Sequence, residues 1–189
     1  AVSIIYFSLH PPIVLFKNLN FHSILTIYLF NITIMIVVAG GLHLFFYTLK
    51  KQDDKLKYDS RSVAKSKKFT FNKQVFDNMF WSLAGGVTIW TFYQILLLWS
   101  YSNDHISKIS FSVNPFIFLS LFFLIILFES VHFYFVHRLL HFKSLYKFFH
   151  HIHHRNVNPG PWSGISMHPL EHLFYFSSVL IHFIIPSHP

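Results

Sequence analysis

Eight of the chain's fifteen histidines fall within the 36 residues from His137 to His172, and their spacing is what matters. His137 and His141, in HRLLH, are four apart, so on a helix they share a face one turn apart and can approach a single metal. FHHIHH sets His150, His153 and His154 at i, i+3 and i+4, again on one face, whereas His151 points about 100° away by the 3.6-residue period. His151 is therefore left out of the direct ligands and given a supporting place or a seat at the membrane interface. MHPLEH adds His168 and His172, with Pro169 suited to a helix's first turn and Glu171 free to orient an imidazole.

Seven one-faced histidines exceed the three or four protein ligands of a typical zinc site, which points to two metals. All-imidazole ligation suits iron, zinc, copper or nickel, so ligand type does not choose among them. Cysteine is absent, which excludes iron–sulfur clusters, thiolate haem, zinc ribbons, disulfides and cysteine nucleophiles. The competing reading is a pH-responsive or merely interfacial His-rich loop. Against it, uncoordinated histidines packed this densely would repel once protonated, with no structural role to offset that.

The elements that carry these residues are membrane helices. Hydrophobic residues make up 53% of the chain, aromatics 20% and charged residues only 12%, which is wrong for a soluble domain. Three stretches reach the roughly 20 apolar residues a bilayer requires, about 24–49, 79–99 and 113–136. None carries Lys or Arg, and Ala39, Gly40, Gly41, Ala84, Gly85 and Gly86 supply small residues where helices pack closely. A fourth apolar run, Leu173 to Ile185, ends in Pro186 and is short for a span.

Nine of the fifteen basic residues lie between Lys50 and Lys73. The net charge of +8 is thus gathered in one loop and does not form a nucleic-acid-binding face. The positive-inside rule places that loop, residues 50–73, in the cytosol. Counting crossings, His137 onward is cytosolic too, in keeping with Arg138, Lys143, Lys147 and Arg155. The fold expected is all-α and multi-span: a juxtamembrane segment 1–23, transmembrane helices within 24–136, and a His-rich helical cap over 137–189. A start at Ala1 and an apolar run up to Pro189 read as a piece of a longer chain.

The order HxxxH, HxxHH, HPxEH directly after a span resembles the fatty acid hydroxylase and sterol desaturase superfamily, and HRLLHFKSLYKFFHHIHH is similar to its sterol desaturase branch in particular. The resemblance runs from the third span to about Pro189. It implies that His137 and His141 are first-box ligands, His150, His153 and His154 second-box ligands, and His168 and His172 a further pair. It also implies two iron ions, with zinc a possible substitute, together with O2 and electrons from cytochrome b5 or a similar carrier. The substrate would be a sterol or fatty acyl chain drawn from the bilayer, which is hydroxylated, desaturated or demethylated. The home would be the endoplasmic reticulum for a eukaryotic member and the inner membrane for a bacterial one. The family pattern closes on a further HxxHH-type box that does not occur before Pro189, so this stretch alone is expected to bind metal weakly and not to turn over.

Glu129 and His132 form Glu-x-x-His within the third span but lack the second such motif that carboxylate-bridged di-iron bundles need. As an ionisable residue inside a span, Glu129 is kept as a supporting or substrate-channel candidate. Trp162, Ser163 and Gly164 read as loop packing or the edge of a substrate entrance, and the scattered His10, His22, His43, His105, His182 and His188 as structural. Two other classes compete with the oxygenase: a metal transporter or sensor with a His-rich cytosolic segment, and a non-catalytic relative or scaffold. A transporter should hold its ligands near the bilayer midplane, whereas these lie beyond the end of a span in fixed helical spacing.

Overall fold

The computed structural model describes residues 10–53, 59 and 61–188. Among them the chain is helical, with isolated bridges between Lys65 and Lys73 and between Lys108 and Ser187 but no strand. Three helices are long and apolar enough to cross a membrane: α1 (Phe21–Thr48), α2 (Gln74–Ser102) and α3 (Pro115–Leu140). The chain is an all-α, multi-span membrane protein. Residues 143–154 form a further helix, α4, and α5 (Pro169–Phe176) runs on into a 3-10 turn, Ser177–Phe183.

Two of the three long helices start on side-chain caps. Asn20 and Ser23 close a reciprocal capping box at the head of α1, Ser23 N donating to Asn20 Oδ1 at 2.9 Å and Asn20 N to Ser23 Oγ at 3.2 Å. At the head of α3, Asn114 Oδ1 accepts Ile117 N at 3.1 Å and Pro115 takes the first helical position, where its missing N–H costs nothing. Phe142, with φ −59° and ψ 135°, leaves the helical region and ends α3. The chain turns there and re-enters helix at Lys143, which carries α4 back toward the end of α3.

The helices depart from the sequence expectation at their ends. The helix of the second span starts at Gln74, five residues before the apolar stretch does, while α3 runs through His137 to Leu140, as the reading of HRLLH on a continuing helix expects. Hydropathy misses the first extension because Gln74, Asp77 and Asn78 are polar. The fourth apolar run is divided between α5 and the 3-10 turn and forms no span-length helix. Residues 1–9, the start of the N-terminal segment, lie outside the described residues.

The chain divides into two compact units. The first takes in the described residues up to Phe30, Trp90–His137 and those from Phe174 on. Its core is Phe16, Ile27 and Leu98, with Ile13, Phe30 and Ile95 packed around them. Polar groups stitch its edges: Ser102 Oγ donates to Ile13 O at 2.6 Å, and Gln94 Nε2 meets His10 Nε2 at 3.1 Å.

The second unit, Asn31–Ile89 and Arg138–Leu173, contains α4, the start of α5 and the first half of α2. Its organising feature is a buried polar stripe along α2: Gln74, Asp77, Asn78, Ser82, Gly85 and Gly86. Gln74 Nε2 donates to Asn158 O (2.8 Å), Ser166 Oγ to Asn78 Oδ1 (3.0 Å) and Ser82 Oγ to Trp162 O (2.8 Å). The loop that follows α4 is thereby zipped onto α2. Trp162 is buried at the position where a side chain on Gly40 would meet it, so it packs the loop and does not line an entrance.

Candidate metal centre

The turn at Phe142 folds α4 back so that three imidazoles of the second unit converge. Ring nitrogens of His141, His150 and His154 lie within 4.8 Å of one another. The His141 ring stands 4.9 Å from both other rings, and the Nε2 atoms of His150 and His154 face each other at 2.9 Å. His150 is fully buried; on its far side Nδ1 lies 2.8 Å from Glu171 Oε1, itself buried in α5. Where Glu171 is ionised its carboxylate can only accept, which holds His150 as the Nδ1–H tautomer with its Nε2 lone pair pointing into the cluster.

Burial governs the protonation of this pair. It lowers His150 to about 4, helped by neighbouring His141, and raises Glu171 to about 7 against the opposing influence of His153 and His141. His150 is therefore a neutral imidazole at neutral pH, the form that ligates metal. Three convergent imidazoles, one of them held by a carboxylate, are a donor set that fits a divalent transition metal.

The other sequence candidates lie on or beside α3, α4 and α5. His137 stands on α3, one turn before His141. His153 stacks on His150 at 5.8 Å with a 17° interplanar angle, and does not join the convergent nitrogens. His168 caps α5: its Nδ1 accepts Leu170 N at 3.1 Å while its ring rests beside Phe149, 5.0 Å away, and Trp81. His172 is fully buried and donates Nε2–H to Ile165 O at 3.0 Å, which leaves Nδ1 as its lone-pair nitrogen. Burial, the largest cause, takes His172 down to about 4 and also lowers His168. His151 is exposed, and Glu129 is exposed on α3 within the first unit.

Three features escape sequence reasoning. Tyr146, four residues before His150, places its ring 5.8 Å from His141, 5.9 Å from His150 and 5.7 Å from His154, forming a wall of the cluster. Gly85 and Gly86 do not serve helix–helix packing alone but make room for His172: a Cβ on Gly85 would stand 3.2 Å from His172 Cε1, and one on Gly86 3.2 Å from His172 Nε2 and 2.8 Å from Ile165 Cδ1. Gly86→Val is accordingly expected to cost about 1–3 kcal/mol through overpacking, read as a lower thermal midpoint in detergent, whereas Gly41→Val, with open space around it, leaves the midpoint unchanged.

The third feature is Arg155, immediately after His154. Its Nη2 pairs with buried Asp77 on α2, its Nη1 donates to Lys68 O at 3.1 Å, and its guanidinium lies 5.5 Å from the Phe69 ring. The end of the second histidine box is thus bolted to the head of α2 by an ion pair.

Comparison with known proteins places this geometry. The fatty acid hydroxylase family profile matches residues 122–189, the stretch that carries every one of these histidines. Over residues 122–189 the chain is similar to the fatty acid hydroxylase family. Within curated proteins, the chain is 41% identical over 44 residues to a Delta(7)-sterol 5(6)-desaturase of Aspergillus fumigatus, covering 23% of this chain and 14% of that protein. It is 39% identical over 59 residues (31% and 18%) to a Delta(7)-sterol 5(6)-desaturase of Gibberella zeae. It is likewise 39% identical over 57 residues (30% and 19%) to methylsterol monooxygenase 1 of Gallus gallus. The matched stretches thus span less than a fifth of each relative's length. No solved structure matches. The region matched by the family profile takes in α3 from Phe122 on, the α4 hairpin and α5, the elements that carry the histidines.

Proposed function

We propose that this protein is an O2-dependent oxidoreductase that hydroxylates, desaturates or demethylates a membrane lipid, a sterol or fatty acyl chain, at a His-ligated di-iron centre. The convergence of His141, His150 and His154 within a fatty acid hydroxylase region carries the reading. His137, His141, His150, His153, His154, His168 and His172 are the residues assigned to hold the irons. When bound, iron supplies the activation of O2 that an unactivated C–H bond demands, since neither acid–base nor nucleophilic chemistry can attack such a bond.

The chain's own part is positioning and exclusion of water. Glu171 holds the His150 ring and Tyr146 walls the cluster. Three apolar helices support a centre beside a bilayer, where a lipid can arrive laterally. Electrons would come from cytochrome b5 or a similar carrier on the cytosolic side, the side that the positive-inside rule favours for the lysine-rich loop. Relatives acting on sterols favour a sterol and, in a eukaryote, the endoplasmic reticulum.

The test is to supply the full-length protein in lipid nanodiscs with O2, a reductase and cytochrome b5, then analyse sterol and fatty acyl pools by mass spectrometry. A lipid that gains oxygen or loses hydrogen, in an O2- and His150-dependent way, is the expected result. Unchanged lipid pools alongside metal flux across the membrane would overturn the reading in favour of a transporter.

A further inference from the structure

The lysine-rich stretch reads in sequence as one loop, and its last part is folded. Residues 64–74 form a hairpin: Gln74 N donates to Ala64 O at 3.0 Å, Ser66 N to Asn72 O at 3.1 Å and Asn72 N to Phe69 O at 2.9 Å. Phe69 is buried at the tip as an anchor, Thr70 N donates to Asp77 Oδ1 at 2.8 Å, and Arg155 holds Lys68 O. This leaves Lys65, Lys67, Lys68 and Lys73 exposed on a fixed frame, and among the described residues no acidic side chain pairs with any of them.

Aromatic rings continue the same surface onto the membrane helix. Phe71 of the hairpin packs on Phe80 of α2 at 5.4 Å, Phe80 on Trp81 at 5.3 Å, and Lys73 Nζ lies 5.0 Å over Phe76. Phe71, Phe76 and Phe80 are all exposed. Unpaired cations beside exposed aromatics, at the first turn of a span, match the chemistry of a headgroup layer: rings at the acyl boundary and ammonium groups at the phosphates. We propose that the 64–74 hairpin is a binding surface for anionic glycerophospholipid headgroups. This rests on the membrane helices and is independent of the metal reading. Because Arg155 joins the hairpin to the second histidine box, headgroup binding would steady the element that carries His154.

The experiment compares spin-labelled phosphatidylserine and phosphatidylcholine around the full-length protein in vesicles, reading the motionally restricted fraction of each. Wild type should prefer phosphatidylserine by about fivefold, from several lysines acting at the surface, with the preference shrinking as NaCl rises. Replacing Lys65, Lys67, Lys68 and Lys73 together by Gln should bring it to parity. A wild-type protein that restricts both lipids equally would overturn the proposal, whatever the variant's folding. So would a preference abolished by inorganic phosphate but not by NaCl of equal ionic strength, which would mark a free-phosphate site, or lysines protected only by an acidic protein.

Discussion

His150→Ala is expected to leave the protein folded, with its helix content intact, and to abolish both metal retention and lipid oxidation. His150 is the hub of the cluster: it meets His154 Nε2 to Nε2, faces His141 across 4.9 Å and is held from behind by Glu171. Its removal deletes one donor and leaves the carboxylate without its ring. Glu171→Gln isolates the second effect. The amide keeps the shape of the carboxylate but can present its N–H to Nδ1 and so favour the wrong tautomer, and losing such a supporting partner typically lowers metal affinity about 10- to 100-fold. Equilibrium dialysis against iron or zinc checks both variants, and the order wild type, Glu171→Gln, His150→Ala in falling affinity is the expected one. Equal affinity in wild type and Glu171→Gln would remove the carboxylate from the account.

Asp77→Ala is expected to have the largest effect on stability. Asp77 is fully buried, accepts Thr70 N and pairs with an Arg155 whose side chain is only 13% exposed. Removing one partner of a buried pair strands the other charge and costs about 3–5 kcal/mol. For a chain of this size that corresponds to a fall of about 10 °C in thermal midpoint. Asp77→Asn retains an acceptor for Thr70 and should fall less. Since Arg155 follows His154 and holds Lys68, the Asp77→Ala variant should also expose Phe69 and the 64–74 hairpin to protease before the rest of the chain. Scanning calorimetry in detergent and limited proteolysis supply the two readings. A midpoint within a degree or two of wild type would show that the ion pair does not hold the second box in place.

Much of this site is legible in the sequence because helical spacing is short-range. HRLLH and HHIHH keep their histidines within a turn of one another through the 3.6-residue period, and the three spans follow from length and apolarity. What the sequence hides is long-range. The partners of Gln74 and Ser82 lie 84 and 80 residues away, and Arg155 reaches 78 residues back to Asp77. In a hydropathy window, the polar side chains at 74, 78 and 82 only dilute an apolar average, although their four-residue recurrence is the trace of a buried polar face. Tyr146 was masked differently: in a chain with 20% aromatics, one more ring at the right spacing carries no contrast. Gly85 and Gly86 read as generic membrane packing until His172 is placed against them.

The polar stripe on α2 also explains why the second span differs from the third. The apolar stretch of α3 has no buried residue within the chain, while a third of that of α2 is buried. Helix α2 works as a scaffold for the histidine loop as much as a membrane crossing, and Gln74, Asp77, Asn78 and Ser82 are accommodated because each finds a partner inside the protein.

The central claim is that these histidines hold iron, and the direct measurement is the metal content of the full-length protein purified from iron-supplemented cells, by elemental analysis together with Mössbauer spectroscopy. About two irons per chain with the quadrupole doublets of a coupled non-haem pair, both lost in a His141→Ala/His150→Ala/His154→Ala variant that still folds, is the result expected. A protein that carries no transition metal, or carries it unchanged in that variant, would contradict the account.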